Sequence, residues 1–189
     1  MPRIAYVNGG YIRQSDAVVS IEDRGYQFAD AVYEVWSVFD GRLADLDGHM
    51  DRLERSLGEL KIPMPMPRNA LLIVLGEVVR RNAIREGMVY LQVSRGVAPR
   101  DHVFPAANTR PSVVVTAKPV DRIAAAKKAM TGIAAMSTPD IRWGRCDIKT
   151  VGLLPNVLAK QAAKEQGAGE VIFVDVGGYV TEGGSTNVY

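Results

Sequence analysis

The sequence predicts an α+β fold, and three observations carry that prediction. Runs rich in β-branched and aromatic residues, among them Ala31 to Phe39, Met88 to Arg95 and Ser112 to Lys118, read as strands. Two stretches, Gly48 to Leu60 and Asn69 to Arg85, carry apolar residues at helical spacing. A boundary falls near Pro119. Residues 1–119 are therefore expected to form an N-terminal α+β domain, with two helices on a mainly antiparallel sheet. Residues 120–126 read as a linker and 127–189 as the first part of a second domain.

Taken in order, Ile4 to Val7 and Tyr11 to Ile12 flank Asn8-Gly9-Gly10, residues that accept the positive φ of a tight turn. Val18 to Ile21 reads as a further strand before a polar loop, Glu22-Asp23-Arg24-Gly25. Ala31 to Phe39 and Leu43 to Leu46 make a second hairpin about Asp40-Gly41. The first helix has Asp47 as its expected N-cap and Met50, Leu53, Leu57 and Leu60 as its stripe, and Pro63, Pro65 and Pro67 end it. The second carries Leu71, Leu72, Leu75, Val78 and Val79. In Met88 to Arg95, Val89, Leu91 and Val93 alternate with Tyr90, Gln92 and Ser94, which predicts two differently used faces. Gly96 to Pro111 is a loop long enough to suggest function. Beyond the linker, a strand is expected near Gly132 to Met136 and a loop at Ser137-Thr138-Pro139-Asp140. Leu153 to Gln166 reads as a helix stopped by Gly167. Val171 to Val174 and Tyr179 to Glu182 read as a hairpin about Gly177-Gly178, and Thr186 to Tyr189 as the start of another strand.

Composition narrows the class. The 189 residues are 47% hydrophobic and 23% charged, ordinary globular usage. A net charge of +2, with its basic residues scattered, argues against a nucleic-acid partner. A single cysteine, Cys146, excludes an intrachain disulfide and suits a reducing compartment. Met1-Pro2-Arg3-Ile4-Ala5-Tyr6 lacks the apolar core of a signal peptide, and no apolar run approaches membrane-spanning length. The expectation is a soluble, cytoplasmic protein.

The residues with chemistry gather around Arg142-Trp143-Gly144-Arg145-Cys146-Asp147-Ile148-Lys149-Thr150. Lys149 stands between Ile148 and the apolar Val151, where partial desolvation disfavours the ammonium and frees a nucleophilic amine. Such an amine forms Schiff bases, above all with the aldehyde of pyridoxal phosphate. The plainer reading is a lysine whose stem packs and whose head reaches water. Glu182 precedes Gly183-Gly184-Ser185-Thr186, a turn whose backbone N–H groups suit a phosphate but which reads equally as a simple bend. Arg142 and Arg145 either hold the lysine loop through buried carboxylates or stand exposed. Cys146, with no adjacent histidine to activate it, reads as a small buried packing residue.

Asp23-Arg24-Gly25-Tyr26-Gln27-Phe28, Tyr33-Glu34-Val35, His49-Met50-Asp51-Arg52-Leu53, the loop Arg95 to His102, Lys149 and Thr181 to Val188 occur in one order and spacing. In these the chain resembles the fold-type IV pyridoxal-phosphate aminotransferases, their D-amino-acid aminotransferase branch most of all. The resemblance implies an N-terminal α/β sandwich domain followed by the start of a C-terminal pseudo-barrel α/β domain. It implies that Lys149 is the catalytic Schiff-base lysine and proton shuttle, and that Glu182 meets the cofactor's pyridine nitrogen. Arg52, Ser185 and Thr186 would hold its phosphate, while Tyr33, Arg100 and His102 would bind the substrate carboxylate. Surface arginines, a surface imidazole and a core aromatic are the plain alternatives for Arg52, Arg100, His102 and Tyr33.

The implied function is transamination between a D-amino acid, such as D-alanine, and a 2-oxo acid, such as 2-oxoglutarate. The implied assembly is a homodimer whose loops complete each other's sites. A branched-chain L-amino-acid aminotransferase, an aminodeoxychorismate lyase of the same fold and a truncated inactive relative are the competing readings. Relatives continue well past Tyr189, so the expectation is either a longer native polypeptide or a fragment that binds cofactor poorly. A chain ending there would leave an unpaired sheet edge and expose Val171, Phe173 and Val180.

Overall fold

A computed structural model describes residues 3–189; Met1 and Pro2, where the reading for a leader begins, lie outside the described residues. Contacts divide the chain into two units. The first runs through Asp121 and takes in Asp147–Val151; the second comprises Arg122–Cys146 and Gly152–Tyr189. The lysine segment, expected in the second domain, therefore packs with the first.

The first unit contains β1 (Ile4–Val7), β2 (Gly10–Arg13), α1 (Arg24–Phe28), β3 (Ala31–Phe39), β4 (Arg42–Leu43), α2 (Leu46–Glu59), α3 (Arg68–Arg81), β5 (Gly87–Ser94) and β6 (Ser112–Pro119). Its six strands lie in the order β2-β1-β6-β5-β3-β4, and every pairing is antiparallel. Asn8 and Gly9 turn the first hairpin with φ of 47° and 105°, the handedness a two-residue turn requires. Alternation along β3 sends Val32, Trp36 and Val38 inward, as β5 does with Val89, Leu91 and Val93. Met50, Leu53 and Leu57 of α2 and Leu71, Leu75 and Val78 of α3 join them in one core. Each such side chain contributes roughly 1.5–3 kcal/mol on burial.

Several local expectations change. Val18 to Ile21 forms no strand and leaves Val18, Val19 and Ile21 exposed, because no sheet edge reaches them. The polar loop instead opens α1, capped by Asp23 Oδ1, which accepts from Gly25 N at 2.8 Å. Gly25 is needed there: a Cβ would lie 2.9 Å from Ser94 Cβ and 3.2 Å from Ala31 Cβ. The N-cap of α2 is Asp45, not Asp47, whose carboxylate pairs with Arg68 instead. α3 stops at Arg81, four residues early, because Asn82 turns its amide to the backbone of Ile4 in β1 and Ala83 adopts φ 50°.

The second unit contains α4 (Arg122–Thr131), β7 (Ala135–Pro139), α5 (Leu154–Glu165), β8 (Glu170–Val174) and β9 (Val180–Gly183). β7 runs parallel to β8, with α5 as the crossover, and β8 pairs antiparallel with β9. Ser137, Thr138 and Pro139, expected in a loop, belong to β7. Val171 and Phe173, expected to be exposed, are fully buried with Ala163 of α5, whereas Val180 is exposed as expected. Thr186 to Tyr189 is not a strand. Among the described residues no helix is long and apolar enough to cross a membrane.

A buried ion network braces the start of β3. Asp30 accepts from Arg24 Nε at 2.8 Å and from Arg95 Nε and Nη2 at 2.7 and 2.9 Å. Arg95 also donates to the carbonyls of Leu60 and Lys61, and Arg24 to that of Asp101. Burial alone would raise the Asp30 carboxyl, but the hydrogen bonds from Arg95 and Arg24 outweigh it and hold the group below its ordinary value. A carboxylate with a depressed folded pKa stabilises fully above its unfolded value, ~3.9, and the contribution fades as pH falls through the folded value. Asp30→Asn is therefore expected to cost roughly 3 kcal/mol at pH 7. The gap between urea melts of parent and variant should begin to narrow as pH falls below about 4 and close only below the folded value; a gap that stays constant throughout acid titration would contradict the assignment.

Candidate active site

In the first unit the site is built on the free edge of β3 beside its first residues. Lys149 O accepts from Tyr33 N at 3.0 Å and Ala31 O accepts from Val151 N at 3.1 Å, so Lys149–Val151 runs antiparallel to β3 with Thr150 opposite Val32. Ile148 is buried in the main core, and α2 supplies two further anchors. Ser56 Oγ accepts from Lys149 N at 3.4 Å, and Arg55 pairs with Asp147 through its side chain and its carbonyl. These contacts leave Lys149 half-buried, its Nζ 4.6 Å from the centroid of the Tyr33 ring. Tyr33 in turn stacks on Tyr90 at 5.7 Å. Burial, and then the neighbouring Tyr33, push Tyr90 up to about 12, so its hydroxyl stays protonated and donates to Gln92 at 2.8 Å.

On the opposite face of β3, Glu34 is completely buried. Arg52 of α2 donates to it from Nε at 2.6 Å and Nη2 at 2.7 Å, and His49 Nδ1 lies 2.7 Å from Glu34 Oε2. Arg52 is thus a half-exposed arginine held by a fork rather than a loose surface cation.

Arg100 and His102 are exposed and meet at a third place, the Phe28 ring of α1: the Arg100 guanidinium lies 4.9 Å from its centroid and His102 5.5 Å. Arg24 covers the same ring at 4.7 Å and donates to Asp101 O at 2.6 Å, which ties the long loop to α1. Among the described residues neither Arg100 nor His102 shares a hydrogen bond with Tyr33. Gly96 closes the base of that loop with φ 105°, where a Cβ would lie 2.0 Å from Arg110 O.

In the second unit, Glu182 near the end of β9 is ion-paired with Arg142. Arg142 also donates from Nε and Nη2 to Asp140 at 3.0 and 2.8 Å, lies over Phe173 at 4.8 Å and is only 10% exposed. Of the two roles open to Arg142, the structure selects the carboxylate partner. Its hydrogen bonds hold the Asp140 carboxyl far below the usual range, and burial only partly opposes them. Asp140, Arg142, Cys146, Thr181, Glu182, Asn187 and Val188 line a cleft of about 450 Å³. Cys146 is exposed, not buried as expected, because the loop places it at this cleft rather than in a core. The turn after β9 is drawn tight: Gly183 N donates to Thr186 O, Gly184 N to Val171 O, and Ser185 Oγ to Glu170 at 3.2 Å. A Cβ on Gly184 would lie 2.4 Å from Val171 Cγ2, so only glycine fits.

Sequence reasoning missed Glu34, Ser56, Arg55, Asp140 and Thr181. The signal for Glu34 was available, since a carboxylate occupies an inward position of a strand between Val32 and Trp36.

The amino-transferase class IV family model matches residues 31–189. The chain is 43% identical over 184 residues to a D-alanine aminotransferase of Staphylococcus haemolyticus, covering 97% of this chain and 64% of that protein. It is 44% identical over 182 residues to one of Bacillus licheniformis, covering 96% and 63%. The chain thus spans less than two thirds of the length of these relatives. Among solved structures it superposes on a T.th. branched-chain amino acid aminotransferase with pyridoxamine 5′-phosphate at a TM-score of 0.83 and 24% identity, covering 97% of this chain and 63% of that one. The Escherichia coli branched-chain enzyme gives 0.82 at 23% identity, covering 97% and 62%. At these identities the likeness is one of fold.

Arg142→Met would leave Asp140 and Glu182 without their cation. The expected cost is about 2 kcal/mol, below the ~3–5 of a fully buried pair. Hydrogen exchange should quicken in β7 and β9 while β3 and β5 keep their protection; uniform loss across both units would contradict the localisation.

Proposed function

The chain belongs to the class IV amino-transferases, and from that premise we propose that it serves pyridoxal-phosphate-dependent transamination of D-amino acids with 2-oxo acids as acceptors. The observation that carries this reading is Lys149, held by its backbone on β3 with its amine against Tyr33. The D-alanine aminotransferases at 43% and 44% identity support the D-amino-acid branch.

The residues present fit the cofactor. Its aldehyde calls for an amine, its ring nitrogen for a carboxylate and its phosphate for a guanidinium and closely packed backbone N–H groups. These are Lys149, Glu182, Arg52 and the Gly183–Thr186 turn, whose glycines no larger residue could replace without collision. Bound pyridoxal phosphate would supply an electron sink for the carbanion left when the substrate's α-proton departs. The remaining work falls to side chains. Lys149 would hold the cofactor covalently and, once displaced by substrate, carry the proton removed from the α-carbon. Glu182, oriented by its ion pair with Arg142, would meet the ring nitrogen and favour its protonated form. Arg52, with Ser185 and Thr186, would take the phosphate. Tyr33, Arg100 and His102 would bind the substrate carboxylate, the guanidinium supplying two parallel donors.

The reading includes a cytoplasmic homodimer. Val18, Ile21 and Tyr26 are exposed, as are Val103 and Phe104 of the long loop that Arg24 ties to α1 through the Asp101 carbonyl; a second copy would remove such apolar surface from water.

Two measurements test the proposal. Lys149→Ala in the full chain should lose the borohydride-sensitive absorption band and transamination between D-alanine and 2-oxoglutarate, with its fold retained by circular dichroism. Near-native turnover would refute the role. Arg100→Ala should raise the KM for D-alanine roughly ten- to hundredfold, the worth of a charge-assisted pair of about 1.5–3 kcal/mol, with cofactor affinity unchanged. Loss of cofactor with a normal KM on resupply would reassign Arg100.

A further inference from the structure

We propose that Glu34 is the positioning residue that sets Arg52 for the cofactor phosphate, an inference that rests on the reading of Arg52 just given. Glu34 occupies an inward position of β3 whose neighbours on that face, Val32 and Trp36, are apolar and fully buried, and it is itself 0% exposed. A carboxylate there has lost its hydration and persists only where cations and hydrogen bonds replace it. Both oxygens are engaged: Oε1 accepts from Arg52 Nε, and Oε2 accepts from Arg52 Nη2 and meets His49 Nδ1. His49 and Arg52 stand three residues apart on α2, so one buried carboxylate grips two successive positions of one helix face.

The geometry of the fork matters more than its charge. A side-on pair through Nε and Nη2 fixes the plane of the guanidinium as well as its position. The Arg52 side chain is 43% exposed, so a head anchored from below still reaches the surface of its unit. The rotamer entropy that a flexible arginine loses on binding an anion is thus already lost in folding. An arginine serving only to neutralise Glu34 would need none of that exposure. A lysine in its place would neutralise as well but could not define a plane.

The test separates phosphate recognition from aldehyde chemistry. The full chain and its variants are titrated with pyridoxal 5′-phosphate and, separately, with unphosphorylated pyridoxal, following the visible absorption band. Glu34→Gln is expected to weaken the phosphorylated aldehyde at least roughly tenfold and to leave pyridoxal unchanged. Arg52→Lys, which keeps the charge and loses the fork, should show the same phosphate-specific loss and decides the matter if Glu34→Gln does not fold. Equal weakening of both aldehydes, or a variant that binds both as the parent does, overturns the inference. A purely structural ion pair would lower the melting temperature without this discrimination. A parent that shows no preference for the phosphorylated aldehyde overturns the reading of Arg52 and the inference with it. A parent that does prefer it, with Glu34→Gln indifferent, overturns the inference alone.

Discussion

The two-residue period of β3 is the constraint on which the first unit turns. It sends Tyr33 to one face and Glu34 to the other, while its edges take β5 on one side and the lysine segment on the other. A shift of one residue would bury Tyr33 and strand Glu34 in water, and Arg52 and His49 would lose their partner together. The apolar inward set of Val32, Trp36 and Val38 prevents that shift, because slippage would expose all three. The hydrophobic core and the register of the chemical groups are therefore secured by the same pattern.

In each unit the molecule handles charge removed from water in a consistent way. Asp30, Glu34 and Asp140 are each gripped by arginine through more than one hydrogen bond. Three arginines also serve a second element: Arg95 the carbonyls after α2, Arg24 the long loop, Arg142 the carboxylate of Glu182. Such pairs add little net stability over apolar packing, yet removing one partner is costly, so they specify geometry. The loop bearing Arg100 and His102 has no regular structure of its own and depends on the Arg24 contact and on the Phe28 ring for its place.

Much of this was legible in the residues. The Asn8-Gly9 turn, the alternation of β3 and β5 and the stripes of α2 and α3 are local patterns, and local patterns survive into the fold. What failed was non-local. Val18 to Ile21 has strand composition but no neighbour to pair with. Ser137 to Pro139 has loop composition but lies parallel to β8, which a later segment supplies. Asp23-Arg24-Gly25 looks like a loop because glycine weakens helices, while the glycine answers to packing against Ser94 and Ala31. The motifs of the candidate site could be found by type and spacing. Their supports Ser56 and Thr181 could not, because nothing in a serine or a threonine announces which distant backbone it will meet.

The excursion of Asp147–Val151 into the first unit has a consequence for the order of assembly. Ser56 and Lys149 are separated by 93 positions, so the contact that seats the lysine is among the most distant along the chain. On a ribosome, the sheet and both helices can condense from residues already emerged, before Lys149 has left the exit tunnel. The lysine then docks onto a finished edge, at a loop-closure cost that grows only slowly with chain length. Its amine is therefore an ordinary flexible side chain throughout early folding and acquires its setting against Tyr33 only in the last long-range step.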